Sequence, residues 1–471
     1  MYRPTEREEK VLACLHEAIA LGRKSEGLWP GWSLGRDPLG LYWPPEGPFF
    51  LFGFSSPPLP GGMKVVRAPV FHFLRLPSPL PGGVAHMELG GRMCAFVPCD
   101  GVETLEEAVE FVALLWQEAF RLHRRKRARH PHLLVPYPAD LPVNNALGNI
   151  EGQILMEGCR NRDQSDLRRL ASAFSLIRRE RRSLLDDELI AYEQSREQGD
   201  GLATYIGYRV LEILGQPGYV PTSTFRRFFG WREGEPARKL AAGYLDALGG
   251  INRMGNGAVR KRFFYSGLGI ALLLDRLDPG WKEELERGCH LDQLLERHVS
   301  FDGGPGDDRL IAEMECRYGY VNMLSEERKA SRESRRKKME LFQSLYRREG
   351  IFLILDLGDL ERVEEHWDPD RAEVINERLC IHTGRASFTY GTVQVSFSGD
   401  PPFLEDRSQG LFEISLPHRR FRITGDEQVL RIPRPATFTE GLELDLGSVR
   451  LVAHRGYIYP LSDALYIKVW A

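Results

Sequence analysis

Motifs that identify common nucleotide-binding proteins are missing from this chain of 471 residues. It has no P-loop, and the glycine-rich stretch GDGLATYIG (199–207) lacks the G-x-G-x-x-G spacing that cradles a dinucleotide after a strand. No histidine stands at a finger-like spacing from the closest cysteine pair. We therefore expect neither a nucleotide-phosphate loop nor a finger-type zinc site. Evidence of function has to come from longer segments of the sequence.

A disulfide framework is also missing. The cysteines are odd in number, scattered, and form no C-x-x-C pair. This pattern favours reduced thiols in a protein core and a reducing compartment, so we expect the cytoplasm. The seven cysteines are residues 14, 94, 99, 159, 289, 316 and 380.

Long apolar runs and a strong net charge are absent as well. No run approaches 18 uninterrupted apolar residues, and the first ten residues, MYRPTEREEK, are charged. We therefore expect neither a transmembrane helix nor a signal peptide. The formal net charge of −3 provides no general attraction to nucleic acid or to anionic membranes.

Apolar periodicity predicts an α+β protein that is mainly helical after a small N-terminal sheet and ends in a β-rich domain. Helical spacing is found in 7–23, 104–130, 144–193, 186–214, 236–249, 266–276, 281–298 and 309–348. Short strands are predicted around 39–43, 48–54, 65–71 and 86–98, and the period changes to two from about residue 351. The segment SFDGGPGDD (300–308) is typical of a linker.

The predicted domain organisation follows from these patterns. We divide the chain into an N-terminal α+β part (1–103), a helical part (104–299), a linker with a charged helix (300–349) and the β-rich C-terminal domain (350–471).

The helix that begins near Thr104 carries the most informative string, LWQEAFR (115–121). Its middle is apolar almost all round, which is typical of a buried helix, and buried charges there require partners. A simpler alternative is a partly exposed helix with an ordinary pair between Glu118 and Arg121.

Several segments occur in an order that resembles an uncharacterised bacterial branch of zincin-type metallopeptidases of the gluzincin kind. They are LWPGWSLGRDPLGLY (28–42), LLWQEAFRLH (114–123), EGQILMEGCRNRDQSDLRRLASAFSLIRRERR (151–182), YEQSREQGDGLATYIGYR (192–209) and YSGLGIALLLDRLDPGWKEELE (265–286). The resemblance covers roughly residues 25–300 and implies a zincin-like module.

The resemblance also implies roles for four residues. Gln117 and Arg121 stand where the two histidine ligands of H-E-x-x-H would be, Glu118 matches the general base, and Asp200 occupies the place of the third ligand. A guanidinium cannot bind zinc, and a glutamine oxygen is a poor substitute for an imidazole nitrogen. The sequence therefore argues against a bound metal, and we expect no cofactor.

We predict instead that Arg121 supplies the positive charge that zinc would have supplied. It would pair with Asp200, Glu197 or Glu118, and a planar guanidinium suits a pair of carboxylates. Glu193, Glu197 and Asp200 are spaced to share one helix face. Glu193, Glu197 and Tyr205 form the predicted charge network of the cleft.

The leading functional hypothesis is a catalytically inactive metallopeptidase homologue that binds a peptide or protein partner. The alternative is an atypical metal-dependent hydrolase that uses Glu118 and Asp200, the one case in which zinc would be bound. A weaker alternative is a nucleic-acid-associated factor that uses three arginine-rich stretches, although solvated helix faces explain these stretches more simply. The stretches are 121–129, 178–182 and 328–338.

A metal site shifted toward the histidines that follow the motif is disfavoured. Glu118 and His123 are five residues apart and point in different directions on a helix, and His130 and His132 lie in a predicted loop.

Overall fold

The computed structural model describes most of the chain. The described residues are 5–24, 28–35, 37–43, 49–52, 64–67, 72–75, 86–89, 92–99, 102–127, 137, 140–251, 259–299, 304–347, 351–368, 371–376, 378–416, 422–424, 435–439, 441–461 and 464–470.

The chain forms two compact units. The first comprises Met1–Leu133, Ala146–Met254 and Arg260–Met323; the second comprises Leu134–Asn145, Gly255–Val259 and Leu324–Ala471. The N-terminal sheet and the helices after residue 104 therefore belong to one unit, because they share one apolar core. The four-segment division stays a prediction, and the unit boundary after Met323 falls inside the predicted segment 300–349.

The first unit contains a small sheet. Its strands are β1 (Leu39–Tyr42), β2 (Phe49–Phe52), β3 (Lys64–Arg67), β4 (His72–Arg75), β5 (His86–Leu89) and β6 (Arg92–Pro98). They lie in the order β3-β4-β2-β1-β6-β5, with β1 parallel to β6 and the other pairs antiparallel. The segment 86–98, predicted as one strand, is thus an antiparallel pair, β5 and β6.

The described helices lie mainly in the first unit. They are α1 (Glu6–Lys24), α2 (Leu105–Arg127), α3 (Pro142–Arg160), α4 (Gln164–Arg182), α5 (Asp187–Arg196), α6 (Leu202–Leu214), α7 (Ser223–Phe229), α8 (Glu235–Leu248), α9 (Val259–Leu277), α10 (Trp281–Glu286), α11 (Leu291–Glu296), α12 (Pro305–Tyr318) and α13 (Tyr320–Tyr346). The first residues of α3 and most of α13 belong to the second unit.

Local sequence explains several helix ends. Thr104 and Glu107 form a capping box at the start of α2, because the Thr104 N–H donates to Glu107 Oε2 (2.8 Å) and the Glu107 N–H donates to Thr104 Oγ1 (3.2 Å). Asp163 accepts two backbone N–H bonds and starts α4, so the predicted helical region 144–193 is broken there. The predicted linker 300–308 is wrong from Pro305, which is the first residue of α12.

A π-helical segment, Glu197–Gly201, joins α5 to α6 without a break. Its wider turn packs tightly against α9: a Cβ added at Gly201 would lie 2.7 Å from Gly267 Cα. The long predicted helix 186–214 is therefore confirmed as continuous, but with one irregular turn that holds two of the predicted site residues, Glu197 and Asp200.

The second unit contains most of α13 and, after it in the chain, a β-sandwich. Its strands are β7 (Ile351–Asp356), β8 (Glu364–Trp367), β9 (Ala372–Val374), β10 (Leu379–His382), β11 (Ala386–Tyr390), β12 (Val393–Phe397), β13 (Phe403–Asp406), β14 (Leu411–Leu416), β15 (Arg422–Thr424), β16 (Ala436–Phe438), β17 (Leu442–Asp445), β18 (Val449–Ala453), β19 (Arg455–Pro460) and β20 (Ala464–Trp470).

Two sheets share the core of this second unit. One has the order β16-β19-β20-β7-β14-β13-β10-β9, and the other has the order β15-β17-β18-β12-β11-β8. Alternating burial along β12 and β20 matches the predicted period of two, so the α+β class and the β-rich C-terminal region are confirmed. None of the described helices is long and apolar enough to cross a membrane.

Candidate functional site

The middle of α2 is buried on nearly every side. From Phe111 to Phe120, Leu114 is the one residue that is half-buried rather than buried. The burial predicted for the middle of the helix is therefore confirmed, whereas the ends of α2 are partly exposed and the pair of Glu118 and Arg121 in the alternative is also present. Polar side chains in this stretch must find partners within the protein.

Gln117 is directed toward α6 and α8. Its Nε2 donates to the hydroxyl of Tyr244 at 2.9 Å. The side chain lies so close to Gly207 that a Cβ there would be 2.1 Å from Gln117 Nε2. Gly207 is therefore required by this approach, and the amide is engaged with protein atoms.

Arg121 lies between two carboxylates, as predicted. Its Nη1 donates to Glu118 Oε1, and its Nε is 2.8 Å from Asp200 Oδ1. All three side chains are largely buried, Asp200 most completely at 2% exposure. The predicted pairing of Arg121 with a carboxylate of the later helix is confirmed.

The charges around Arg121 balance. Arg196 Nη1 donates to the second oxygen of Asp200 at 3.3 Å, so two guanidiniums meet the carboxylates of Glu118 and Asp200. Burial opposes the charge of Arg121, but Glu118 and Asp200 outweigh it and raise the pKa of its guanidinium. Arg121 is therefore a permanent cation at this position.

These residues do not fit a zinc ion. A cation already occupies the space between Glu118 and Asp200, and the Gln117 amide is bonded to Tyr244. Among the residues that the structure describes, no three His, Cys, Asp or Glu side chains are grouped so that they could hold a metal ion. The side chains at these positions form an ion pair.

A second charge network lies at the end of α5 and the start of the π segment, and it faces α4. Arg181 bonds Glu193 and Glu151, and Arg178 bonds Glu151 and Glu197, at distances between 2.5 and 3.2 Å. These five residues are all at most 4% exposed. Their carboxylates come from α3, α5 and the π segment, so the network links three helices.

Two further residues extend this network. Arg182 donates to Glu193 Oε2 at 2.9 Å and also bonds Asp292 of α11. The network then contains three arginines and four carboxylates, so one carboxylate is in excess. Burial, reinforced by Asp292, raises the pKa of Glu197 despite the nearby Arg178. Ser266 donates a hydrogen bond to that same carboxyl group.

The three predicted carboxylates therefore do not share one network. Glu193 and Glu197 face the arginines of α4, whereas Asp200 faces Arg121. The prediction of a single face was wrong because it used regular α-helical spacing. The π turn at 197–201 contains more residues per turn and rotates Asp200 away from Glu197.

Tyr205 belongs to a third polar cluster rather than to the predicted network. Its hydroxyl donates to Asp275 Oδ2 at 2.7 Å, and Trp281 Nε1 donates to Asp275 Oδ1 at 3.0 Å. Burial and the neighbouring Asp275 raise the pKa of Tyr205. Lys282 lies 3.5 Å from the same carboxylate. The predicted place of Tyr205 in one charge network with Glu193 and Glu197 is therefore wrong.

The arginines of 178–182 were wrongly predicted to be solvated. Arg178 and Arg181 are 4% and 1% exposed. A signal for this burial was present in the sequence, because Arg178 and Arg181 follow the apolar Phe174 and Ile177 at a spacing of four.

Exposure varies among the remaining basic residues and histidines that the sequence singled out. In 328–338 the cations are mostly exposed, as predicted. His123 is buried, with its ring 5.7 Å from the ring of Trp32. His130 and His132 lie outside the described residues.

The string GWSLG (31–35) matches the G-x-S-x-G pattern. In hydrolases that pattern sits on a sharp turn between a strand and a helix. Here Ser33 is exposed in an irregular segment between two turns, and strand β1 follows it. The context of a nucleophile is therefore missing from the described residues around Ser33.

Comparison with protein-family models, with curated proteins and with solved structures gave no match for this chain.

Proposed function

We propose that the first unit is a metallopeptidase-like module in which a buried ion pair takes the place of the catalytic metal. On this proposal the protein binds a peptide or protein partner and does not hydrolyse it with zinc. The observation that carries the proposal is the position of Arg121, whose guanidinium contacts both Glu118 and Asp200.

The geometry supports this proposal at three of the four positions, namely Glu118, Arg121 and Asp200. In a zinc helix the general base and the ligands surround one cation. Here Glu118 and Asp200 also contact one cation, but that cation is the guanidinium of Arg121, and Gln117 bonds Tyr244 instead. Arg121 holds Glu118 through Oε1, so this carboxylate is engaged by a fixed charge rather than facing a metal-bound water.

The remaining hypotheses receive less support. An atypical hydrolase would use Glu118 and Asp200 as metal ligands, which requires that Arg121 leave the space between them. A nucleic-acid-associated factor would need accessible arginines; those of 328–338 mostly face solvent, but Arg178 and Arg181 are bonded to buried carboxylates.

Metal analysis of the full chain tests the proposal. We expect well below one zinc per purified chain, and about one after the double substitution Gln117→His and Arg121→His, because two imidazoles and Asp200 then form a three-ligand site. Zinc should also raise the melting temperature of this double variant.

Arg124→His is the matched control. Arg124 lies on the same helix, is similarly buried and is 2.6 Å from Glu286, but it is outside the motif. Equal zinc uptake by the control and the double variant would contradict the positional assignment. Stoichiometric zinc in the unmodified chain, lost on Asp200→Ala, would favour the atypical hydrolase.

A separate measurement tests partner binding. A library of fluorescent unstructured peptides should contain members that bind the full chain and stay intact, with affinities unchanged by a chelator. Cleavage that a chelator abolishes would overturn the inactive state. Absence of binding across the library would overturn a peptide partner.

A further inference from the structure

A group of polar side chains lies inside the second unit, at one edge of the β-sandwich. Trp367 ends β8, the edge strand of the six-stranded sheet. His382 and Glu405 lie on β10 and β13 of the eight-stranded sheet. The rings of Trp367 and His382 are 5.4 Å apart, so the two sheets meet here.

Glu405 is the fixed centre of this group. It is fully buried, and its Oε2 is 2.7 Å from His382 Nε2. Its Oε1 is 2.7 Å from Arg362, whose guanidinium also donates to the hydroxyl of Tyr390. Burial opposes its charge, but His382 and Arg362 outweigh burial and lower the pKa of Glu405 to about 2. Glu405 is thus an anion beside Arg362 and His382, although its Oε1 accepts no hydrogen bond among the described residues.

Arg407 differs from these paired residues. Its Nε is 3.5 Å from Glu405 Oε2, but this contact lacks hydrogen-bond geometry. Among the described residues, neither Nε nor Nη2 of Arg407 has an acceptor, although both atoms are shielded from solvent. These two atoms form the forked edge with which a guanidinium grips two oxygens at once.

Trp367 provides a second donor without an acceptor. Its side chain is 8% exposed, and its Nε1 has no hydrogen-bond partner in the described part of the chain. The Arg407 guanidinium lies over the Trp367 ring, 5.2 Å from its centroid. Three shielded donor atoms are therefore unsatisfied on two side chains in contact, and each costs free energy unless an acceptor binds.

We propose that Arg407 and Trp367 form a binding site for a small carboxylate ligand at this edge of the sandwich. A carboxylate offers the Arg407 fork two coplanar oxygens. A single negative charge also suits the site better than a phosphate dianion, because Glu405 already lies 3.5 Å from Arg407. The Arg407 side chain is 22% exposed, so part of this guanidinium residue reaches the surface beside the shielded fork.

The Trp367 indole provides a readout at the site itself. In the full chain with 15N-labelled tryptophan, Trp367→Phe identifies the indole signal of Trp367 by its loss. We expect acetate to shift this signal, and the neutral isostere acetamide to shift it at least about tenfold less at equal concentration, because charge-assisted bonds are lost. Inorganic phosphate should bind more weakly than acetate.

Two substitutions sharpen the test. Arg407→Gln should weaken acetate binding by about tenfold or more. Arg378→Gln is the matched control, since Arg378 is nearby in the fold but its guanidinium already bonds Asp406. The other seven tryptophan signals report whether each variant remains folded.

Two results would overturn the proposal. One is an equal response to acetate and acetamide, as expected if a water molecule simply satisfies the fork. The other is acetate binding that Arg407→Gln leaves unchanged in a folded chain. Stronger binding of phosphate than of acetate would overturn the carboxylate assignment.

Discussion

Two arginine-rich helical segments of this chain have similar compositions and opposite surroundings. In 178–182 (RRERR), three of the four arginines bond buried carboxylates. In 328–338 (RKASRESRRKK), the cations mostly face solvent, whereas Ser331 and Ser334 are buried. The two segments differ in the residues on the buried face of the helix, which we call the inward stripe: arginines in 178–182 and serines in 328–338. Composition alone therefore does not indicate whether an arginine is solvated.

The inward stripe of each helix can be followed along the sequence. In α4 it runs through Leu170, Phe174 and Ile177 and then reaches Arg178 and Arg181. In α13 it begins at the two serines, and Ser331 donates to the carbonyl of Asp140 at 2.9 Å. The same helix ends on apolar residues that pack against the sandwich, namely Leu341, Phe342 and Leu345.

The largest effect should follow from breaking the buried segment. Arg181→Met keeps the length of the side chain but leaves Glu151 and Glu193 without their main cation, and both are almost fully buried. We expect the free energy of unfolding to fall by about 3–5 kcal/mol. Urea denaturation measures it. The control Arg179→Met changes an exposed neighbour and should stay within about 0.5 kcal/mol; equal losses would contradict the contrast.

Acid should produce the next largest effect. Burial opposes ionisation of Glu193 and Asp292, but Arg181 and Arg182 outweigh it and hold both pKa values below the ordinary range. The stability that these carboxylates contribute is therefore present above the unfolded pKa of about 4 and is lost as pH falls below it, by on the order of 2 kcal/mol each.

Glu197 should act in the opposite direction, because its pKa is raised. Its contribution is complete below the unfolded pKa of about 4.3 and is lost as pH rises through the folded value. Urea denaturation of the wild type and of Glu197→Gln across pH 3–8 separates the two signs. Stability that does not change between pH 5 and pH 3 would contradict the assignment of Glu193 and Asp292.

A smaller effect should follow from Ser266→Ala. This change removes the hydroxyl that donates to Glu197, while the arginines remain in place. We expect a loss of about 1–2 kcal/mol at neutral pH, where the unpaired lone pair stays buried. The loss of stability caused by Ser266→Ala should be smaller when it is measured in the Glu197→Gln variant. An equal loss in both backgrounds, measured as a double-mutant cycle, would show that Ser266 acts through packing alone.

The smallest effect should follow in the exposed segment. Arg336 pairs with Glu333 and Glu340 on the surface of α13, where water screens the charges. We expect no measurable change in the midpoint of urea denaturation after Arg336→Met. A loss similar to that of Arg181→Met would remove the distinction between the two helices.

Part of this organisation could be predicted from the sequence. The apolar residues around 111–120 indicated a buried helix, and a buried arginine there required a carboxylate, so the contact of Arg121 with Asp200 was expected. The alternation of residues after 351 likewise indicated strands.

The rest depended on tertiary contacts. The sequence does not show that Glu151 of α3 meets Arg178, or that β7 pairs with both β14 and β20. Tyr205 was placed with the wrong partners because the position of Asp275 depends on how α9 crosses α6. The unsatisfied fork of Arg407 depends on the meeting of two sheet edges that are distant in sequence.

The π segment has a consequence for the way the two charge networks are separated. A π turn holds about one residue more than an α turn, so it acts as an insertion inside an unbroken helix. Both Glu197 and Asp200 lie in this π segment. Glu197 pairs with an arginine of α4, whereas Asp200 pairs with an arginine of α2. Which arginine each carboxylate meets therefore depends on the extra residue in the turn as well as on the charged side chains themselves.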